Sequence, residues 1–301
     1  MTAATLEYVK ACPVCQHPQY DAFLPCRDHT VSQEYFHIVR CQQCGFKFTN
    51  PRPNEAQISS YYQGEAYISH SDTRKGLLNR VYHVARRYAL RQKERLAAKY
   101  AQGQKTLLDV GTGTGYFLHT CLHKGWNAAA TEPDPQARQQ ALRRSCQTPV
   151  FVDVFDPCLQ DKRYQIITLW HVLEHIHSLD ATLERLKQLL DKEGSLIVAV
   201  PNASSFDARW FGASWAAYDV PRHLYHFEPA QMQTLLQKHG LQIVAQKPMW
   251  LDAFYISLLS TRYQGGRTRP LMAFFIGLWS NWVGWRQKGN TSSLIYIIKH
   301  Q

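Results

Sequence analysis

The sequence has no long uncharged run, and this absence limits where the protein can act. No apolar stretch at its beginning resembles a signal peptide, and no uncharged segment reaches the roughly 20 residues that a membrane span needs. We therefore expect a cytoplasmic protein. Because thiols stay reduced in the cytosol, its 8 cysteines are not expected to form a disulfide framework.

Acidic residues are few compared with basic ones. The 301 residues include 34 lysines and arginines against 23 aspartates and glutamates, which gives a formal net charge of +11. Such an excess favours an anionic partner, such as a nucleotide-sugar, a phospholipid surface or RNA. A solvated basic face would have the same composition, so charge alone does not choose among these interpretations.

The glycine-rich segment TLLDVGTGTG, residues 106–115, lacks one glycine that a dinucleotide-binding loop needs. The GxGxxG pattern requires glycine at position 116, where this chain has Tyr116, so NAD is disfavoured. The apolar start of the segment predicts a buried strand ending at Asp109, and its glycines let the backbone turn sharply under a nucleotide. The candidate cofactor-binding residues of this loop are Asp109, Gly111, Thr112, Gly113 and Gly115.

An acidic residue two positions before the first glycine suits a ligand with a positively charged end. Asp109 could hold the ammonium group of a methionine, directly or through water. In the later segment AAATEPD, Glu132 would end a second strand and hold ribose hydroxyls, and Asp153 would follow a third strand, 149–152, beside adenine. The combination resembles motif I of class I methyltransferases. That resemblance implies S-adenosylmethionine (SAM) as the cofactor and an α/β, Rossmann-like fold.

The rest of the chain continues the alternation of strands and helices. The predicted elements are strands 164–169, 195–200, 241–246 and 294–299, and a helix over 181–190 that exits through 191–194. The last two strands would close a seven-stranded methyltransferase sheet as an antiparallel pair. Such a final hairpin is typical of the resembled family, although here a helical insertion at about 249–290 separates its strands.

Four cysteines form two matched pairs, Cys12-Pro-Val-Cys15 and Cys41-Gln-Gln-Cys44. Spacing by two residues lets both thiolates of a pair face one tetrahedral ion, so the pattern predicts structural Zn²⁺ in a small N-terminal zinc ribbon. Four protein ligands leave no open coordination position, and this zinc would hold the module together without activating a substrate. The alternatives are a redox dithiol pair, or replacement of one ligand by Cys26, His29 or His37.

The residues after the fourth strand, WHVLEHI at 170–176, border the edge where open parallel sheets bind ligands. They closely resemble the corresponding motif of ubiquinone-biosynthesis-like and related small-molecule methyltransferases. The resemblance makes His171 a candidate catalytic and cofactor-binding residue that faces the methyl donor. Glu174 and His175 match an acidic-histidine pair that some members use with a divalent cation. Those members are expected to have an acidic residue at the position of His171, and its absence here argues against a catalytic metal. The alternative role for Glu174 and His175 is a hydrogen-bonded helix start.

A second candidate segment is DVPRHLYHF, residues 219–227, which ends an aromatic-rich stretch that could form a lid over the substrate. Histidines titrate near neutral pH, so His223 and His226 are candidate catalytic bases, with His223 the first choice. Arg222 could bind an acidic group of the substrate or pair with Asp219. The segment looks like that of a broad, uncharacterised family of zinc-ribbon-bearing methyltransferases, although a hydrogen-bonded hinge would use the same residues.

These patterns divide the chain into three parts. We expect a zinc-ribbon module over 1–54, a linker with a basic amphipathic helix over 55–104, and a SAM-dependent methyltransferase domain over 105–301. The linker begins with aromatic residues that could cover the cofactor or pack the ribbon onto the core: Tyr61, Tyr62 and Tyr67. The basic helix is predicted from about Arg74 to Tyr100.

Tryptophans repeat every three residues within the insertion, at Trp279, Trp282 and Trp285. They lie in an uncharged run over 271–285 that is too short to span a bilayer. Such a helix could pack on the core, form a homodimer contact, or rest at a membrane surface near a lipid acceptor.

The function we expect is SAM-dependent methylation of oxygen or carbon in a small-molecule acceptor, such as a metabolite, a sugar derivative or a lipid or quinone precursor. No Asp/Asn-Pro-Pro-aromatic motif follows the fourth strand, which argues against methylation of base or amide nitrogens. Zinc-ribbon sugar C-methyltransferases are a similar group, but the chain ends without the large C-terminal domain expected of them. The alternatives are an rRNA or tRNA methyltransferase that grips nucleic acid through the ribbon and basic helix, and a methyltransferase-like binding protein without turnover.

Overall fold

A computed structural model describes residues 6–62, 77–145, 148–287 and 289–301, and over 77–85 it describes the backbone only. Its strands are β1 (Leu6–Glu7), β2 (Tyr20–Arg27), β3 (Tyr35–Cys41), β4 (Lys47–Thr49), β5 (Arg52–Pro53), β6 (Thr106–Val110), β7 (Asn127–Thr131), β8 (Val150–Phe151), β9 (Tyr164–Trp170), β10 (Leu190–Pro201), β11 (Tyr225–His226), β12 (Leu241–Pro248) and β13 (Ser293–His300). Its α-helices are α1 (Leu77–Tyr100), α2 (Tyr116–Leu122), α3 (Pro135–Arg144), α4 (Leu179–Leu189), α5 (Phe206–Phe211), α6 (Pro229–Lys238), α7 (Asp252–Gly265) and α8 (Pro270–Arg286).

The central sheet has seven strands in the order β12-β13-β10-β9-β6-β7-β8. Neighbours from β10 to β8 run parallel, whereas β13 is antiparallel to both β10 and β12. The expected seven-stranded Rossmann-like sheet with a final antiparallel pair is thus confirmed. Parallel order brings the carboxyl ends of β6, β7 and β9 to one edge, which is where ligands bind in such sheets.

The middle strands are buried on both faces, and successive residues enter different cores. Leu107 packs in a cluster with Phe117 and Leu118 of α2, whereas its neighbour Leu108 packs in a cluster with Leu183 of α4. Helices on both faces of the sheet explain why these strands read as continuous apolar runs. Complete burial of one such side chain is worth about 1.5–3 kcal/mol.

Two elements differ from the sequence expectation, and the start of a third lies outside the described residues. Residues 191–194, expected as a helix exit, already belong to β10, and the pairing with β9 shifts register between Leu190 and Ser195. The third strand is shortened to β8, because only Val150 and Phe151 pair with β7. The basic helix is described from Leu77 onward, and Arg74 and Tyr67 lie outside the described residues.

The N-terminal module is completed by a strand from far along the chain. Its antiparallel sheet has the order β11-β4-β3-β2, so β11 adds to the edge strand β4 with Tyr225 opposite Phe48. Thr49 also donates its amide to the Leu224 carbonyl oxygen at 3.0 Å. The segment after β10 therefore joins the two parts of the protein, and the division at 54 and 104 stays a prediction.

Candidate functional site

Asp109 ends β6 as a buried carboxylate. Its Oδ1 accepts a hydrogen bond from the Thr168 hydroxyl at 2.7 Å. Burial raises the pKa of Asp109 to about 6, although the hydrogen bond from Thr168 and the positive charge of Lys93 act in the opposite direction. A buried acid in this position can bind a cationic ligand group, which would compensate for its poor solvation.

The three glycines after Asp109 all have positive φ angles: +66° at Gly111, +57° at Gly113 and +78° at Gly115. A Cβ atom at Gly111 would lie 2.6 Å from the Val172 side chain, and one at Gly115 would lie 2.8 Å from the Cα of Ala141. A Cβ atom at Gly113 would meet no described atom within 4 Å. Packing therefore requires the outer glycines, whereas Gly113 borders open space that a ligand can enter.

Glu132 and Asp153 follow the next two strands. The Glu132 carboxylate accepts the amide of Gly113 at 2.7 Å and that of Asp134 at 3.0 Å, and burial raises its pKa. Thr112 lies in the same loop and donates its amide to the Thr131 carbonyl oxygen at 2.9 Å. Asp153 is exposed after β8 and accepts the Phe155 amide at 2.7 Å. Asp109, the glycine loop and Glu132 thus meet at one edge of the sheet.

His171 follows β9 with a φ angle of 58°, unusual for a residue other than glycine. Its Nδ1 lies 3.4 Å from Glu174 Oε1, and its Nε2 lies 3.2 Å from Asp252 Oδ2. Burial alone would lower the pKa of His171, but the two carboxylates raise it to about 9. Both carboxylates thus favour the protonated form of the His171 ring.

Lys93 brings a second cation to the same region from helix α1. Its Nζ lies 4.5 Å from the centre of the Trp170 ring. Burial lowers the pKa of Lys93, and the charges of Asp252 and Asp109 oppose this shift. The basic helix thus supplies a side chain to the candidate site.

Glu174, His175 and His223 form a compact cluster in which one ligand atom of each lies within 4.8 Å of the others. The Glu174 side chain is fully buried, and neither of its oxygens accepts a hydrogen bond of normal geometry from the described residues. His175 Nδ1 lies 3.0 Å from the Arg222 carbonyl oxygen and 2.9 Å from the Tyr62 hydroxyl. His223 Nδ1 lies 2.8 Å from the carbonyl oxygen of residue 217.

These contacts determine what the cluster can do. A carbonyl oxygen only accepts hydrogen bonds, so Nδ1 of His175 and of His223 carries a proton, and in the neutral form of each ring the lone pair is on Nε2. A backbone carbonyl that fixes Nδ1 in this way is also the usual partner of a metal-binding histidine. The cluster can therefore bind a divalent cation, or His223 can accept a proton; both roles use the same lone pair.

Arg222 is fully engaged inside the protein. It donates from Nη2 to Asp219 Oδ1 at 2.6 Å and to Asp28 Oδ1 at 3.0 Å, and from Nη1 to the Tyr61 carbonyl oxygen at 2.9 Å. Of its two expected roles, the structure supports pairing with Asp219. Tyr61 in turn donates its hydroxyl to Glu34 at 3.0 Å, so it packs the ribbon onto the core.

His226 lies on the other side of this segment, within the ribbon sheet. Its Nε2 lies 3.1 Å from the Thr49 hydroxyl. Burial lowers the pKa of His226 well below its ordinary value, and the charges of His223 and Lys47 act in the same direction. The ring is therefore neutral and held against β4, and its role as a catalytic base stays a prediction.

The four cysteines of the two pairs converge. Sγ of Cys12 lies 3.5 Å from that of Cys44, Sγ of Cys15 lies 3.5 Å from that of Cys41, and all four lie within 4.8 Å of one another. Tetrahedral zinc with bonds of about 2.3 Å places its sulfur ligands roughly 3.8 Å apart, so the cluster could bind this ion. The three alternative ligands do not belong to the cluster: Cys26, His29 and His37.

A protein-family model described as Methyltransferase domain matches residues 81–246, which is more than half of the chain. The chain belongs to this methyltransferase family. Ubiquinone biosynthesis O-methyltransferase from Rhodopseudomonas palustris (strain BisB5) is 26% identical over 156 residues, which cover 46% of this chain and 59% of that relative. The methyltransferase thus matches only about three fifths of that relative's length.

Two solved structures of magnesium protoporphyrin IX methyltransferase from Synechocystis PCC 6803 share the fold of this methyltransferase. The one with bound SAH has a TM-score of 0.52 at 12% identity and covers 82% of this chain and 100% of that chain. The one with bound SAM has a TM-score of 0.51 at 13% identity and covers 84% and 100%. These similarities confirm the expected fold.

Three residues of the site were missed by the sequence reasoning. Asp252 opens the insertion and Lys93 lies in the basic helix, but neither belongs to a motif. Asp28 pairs with Arg222 across 194 positions of sequence. Asp252 stands alone at the start of an apolar insertion, and a single acidic residue in a sequence does not indicate which side chain it contacts.

Proposed function

We propose that this methyltransferase transfers a methyl group from SAM to an oxygen or carbon atom of a small-molecule acceptor. The observation that carries the proposal is the juxtaposition of two groups at one sheet edge. One is the open glycine loop flanked by Asp109 and Glu132, and the other is the cluster around His223. Membership of the methyltransferase family and similarity to an O-methyltransferase support the same reaction.

The donor would be held by residues that already lie at the ends of β6, β7 and β8. Asp109 would bind its ammonium group, Glu132 its ribose hydroxyls and Asp153 its adenine, while the open face at Gly113 admits the ligand. When bound, SAM supplies an electrophilic methyl group. The buried acids near an unobstructed loop fit such a ligand, because they could pair with its positive charge.

His223 is the residue we assign to the acceptor proton. Transfer of a methyl group to a hydroxyl leaves one proton to be removed, and Nε2 of His223 offers a lone pair for it. The carbonyl oxygen at 2.8 Å from Nδ1 holds the ring in the required tautomer. His171, held between Glu174 and Asp252, would act as a fixed positive charge near the donor.

A divalent cation is the second role for the same cluster. Its ligands would be Glu174, His175 and His223, and it would supply Lewis-acid activation of the acceptor oxygen. Full burial of the Glu174 carboxylate, which accepts no hydrogen bond of normal geometry from the described residues and has only His171 Nδ1, at 3.4 Å, as an ion-pair partner among them, favours this role. Mn²⁺ binding, followed by electron paramagnetic resonance in the wild type and in Glu174→Gln, tests it without any methyl acceptor.

The N-terminal cysteines would bind a structural zinc ion. All four positions of a tetrahedral ion would be filled by thiolates, which leaves no site for substrate. We assign this ion to the stability of the ribbon. We place the protein in the cytoplasm, where a reduced four-cysteine site is maintained.

The reaction is tested by incubating zinc-loaded protein with methyl-labelled SAM and fractionated cell extract. We expect label in a polar-metabolite or lipid fraction, and its loss with Asp109→Ala but not with the exposed control Asp161→Ala. Label in RNA, together with RNA binding that weakens steeply with salt, would favour the nucleic-acid alternative. SAM binding without any labelled product would favour a binding protein without turnover.

The role of His223 is tested by replacing it with glutamine. Loss of a general base costs about 10²–10⁴ in rate, so we expect at least a hundredfold fall in kcat with unchanged SAM affinity. His123→Gln, at an exposed position after α2, is the matched control. A kcat within threefold of the wild type would remove His223 from the mechanism.

A further inference from the structure

Helix α8 carries large apolar side chains on its solvent face. Leu271 is 78% exposed, Phe275 64% and Trp285 68%. The exposed positions follow each other at intervals of three or four residues, as one face of a helix does: Leu271, Phe274, Phe275, Leu278, Trp279, Trp282 and Trp285. We call this set the aromatic face.

The opposite side of α8 fixes this orientation through small residues. A Cβ atom at Gly277 would lie 2.8 Å from the Phe254 ring of α7, and one at Gly284 would lie 3.0 Å from the Asn290 carbonyl oxygen. Ser280 donates its hydroxyl to buried Asp207 at 2.7 Å. Rotating the helix to bury its aromatic residues would push them into these close contacts, so the aromatic face remains outside.

Neighbouring elements enlarge the apolar surface. Phe206 and Trp210 of α5 line a cleft of about 680 Å³ together with residues of the aromatic face. Trp250 and Leu251, just before α7, are also exposed, and the Trp250 carbonyl oxygen accepts a hydrogen bond from Asn281 of α8 at 2.8 Å. Contiguous exposed patches of this kind mark interaction surfaces.

From residue 253 onward, the charged side chains of the sequence are all positive. Asp252 is the last acidic residue in the sequence, and none occurs from residue 253 to the C-terminus. Arg267 and Arg269 lie exposed before α8, and Arg286 lies exposed at its end. Basic residues thus flank the aromatic face at both ends.

This charge pattern decides between two occupants. A two-fold contact between copies through α8 would bring the same arginines together, and the segment offers no carboxylate to pair with them. An anionic lipid headgroup complements them instead, because basic side chains are attracted to a negatively charged membrane surface. None of the described helices is long and apolar enough to cross a membrane. We propose that the aromatic face and its flanking arginines are a peripheral docking surface for an anionic membrane.

The docking surface is physically connected to the candidate site. Asp252 begins α7, against which α8 packs, and its carboxylate lies 3.2 Å from His171. Docking through α8 would hold the candidate site beside the lipid surface. The aromatic rings would enter the headgroup region while the arginines remain at the phosphates.

Cosedimentation of the full chain with vesicles tests the proposal. We expect at least tenfold stronger partitioning to phosphatidylcholine vesicles containing 30% phosphatidylglycerol than to phosphatidylcholine alone, weakening with salt. The double variant Phe275→Ser/Trp279→Ser should lose at least tenfold in partitioning. Phe155→Ser, at an exposed aromatic position after β8, should not. Arg267→Gln/Arg269→Gln should reduce only the preference for anionic vesicles, unlike the exposed control pair Lys162→Gln/Arg163→Gln.

Several results would overturn the proposal. These are no binding of the wild type to either vesicle, equal binding to both, or unchanged binding of Phe275→Ser/Trp279→Ser. Light scattering that shows a dimer in the wild type and a monomer in this variant, without vesicle binding, would assign the face to a second copy. Circular dichroism melts confirm that each variant is folded. The assay needs no methyl acceptor, so its failure is distinguishable from failure of the proposed function.

Discussion

Replacing Asp28 by asparagine should destabilise the protein in a pH-dependent way. Asp28 is fully buried, and its Oδ1 lies 3.0 Å from Arg222 Nη2. Its carboxylate also accepts the amides of Thr30 at 3.0 Å and Ser32 at 2.8 Å. Asparagine removes the negative charge and directs an NH₂ group at one of these donors, so the guanidinium loses the buried one of its two counter-charges and keeps only half-buried Asp219.

The magnitude follows from the pKa of the carboxyl. Burial would raise the pKa of Asp28, but Arg222 and the amide hydrogen bonds lower it from 3.8 to about 2. This difference between the unfolded and folded pKa values of Asp28 stabilises the folded protein at neutral pH by roughly 2–3 kcal/mol. Because the folded pKa lies below the unfolded one, this stability is present above about pH 4 and is lost as the pH falls towards 2.

Urea unfolding at pH 7 and pH 3 measures the effect. We expect Asp28→Asn to lower the free energy of unfolding by about 2–3 kcal/mol at pH 7, and the pH-dependent part of this loss to fall to roughly half at pH 3. Asp21→Asn is the control, since Asp21 is exposed on β2 and accepts a hydrogen bond from Gln42 at 2.7 Å. A difference between wild type and Asp28→Asn that is the same at both pH values would refute the assignment.

Three further predictions concern the donor and zinc sites. Gly111→Ala should lower unfolding stability, because its Cβ atom would clash, whereas Gly113→Ala should impair SAM binding more than stability; calorimetry and urea unfolding separate the two. SAM affinity should fall as the pH drops below about 6, because protonation of Asp109 removes the charge for the donor's ammonium group; Asp109→Asn should bind weakly at every pH between 5 and 8 by calorimetry. Elemental analysis should find one zinc ion per chain, retained in Cys26→Ser and lost in Cys41→Ser.

Local patterns indicated the candidate donor-binding residues because these residues lie close together in sequence. The strand, the turn and Asp109 fall within ten positions, and a positive φ angle at Gly111 and Gly115 is a requirement that glycine meets best. The predicted helix exit over 191–194 was wrong, and the reason is also local. Its Lys-Glu-Gly sequence is typical of a turn, and the pairing of Leu190 with Tyr164 extends the strand across it.

The proposed acceptor side could not be predicted in the same way, because its contacts are between distant segments. Glu174 and His175 were recognised as a pair, but the structure adds His223 to it and places His226 elsewhere. Nothing in the spacing of the two later histidines distinguishes them. The difference arises because Tyr225 and His226 pair with β4, which turns the second histidine into the ribbon.

Helix α8 shows that hydrophobic periodicity alone does not determine which face of a helix is exposed. A helix that is apolar on all sides is usually buried, so packing on the core or in a dimer was the simpler interpretation of the run over 271–285, and contact with a membrane surface was the alternative. Its outward face is decided by Gly277, Ser280 and Gly284, whose close neighbours come from other segments. Sequence alone identified the tryptophans, and only the packing of the small residues orients them.

The N-terminal module contributes to the proposed chemistry by positioning one short segment. His223 lies between Arg222, bound to Asp28 of the ribbon, and β11, paired with β4. The Thr49 hydroxyl also donates to the His223 carbonyl oxygen at 2.8 Å. Both sides of His223 are therefore anchored to the N-terminal sheet, in which the turn between β3 and β4 carries Cys44. A zinc ion that touches no substrate would nevertheless determine where Nε2 of His223 points, so loss of zinc should reduce methyl transfer before it reduces SAM binding.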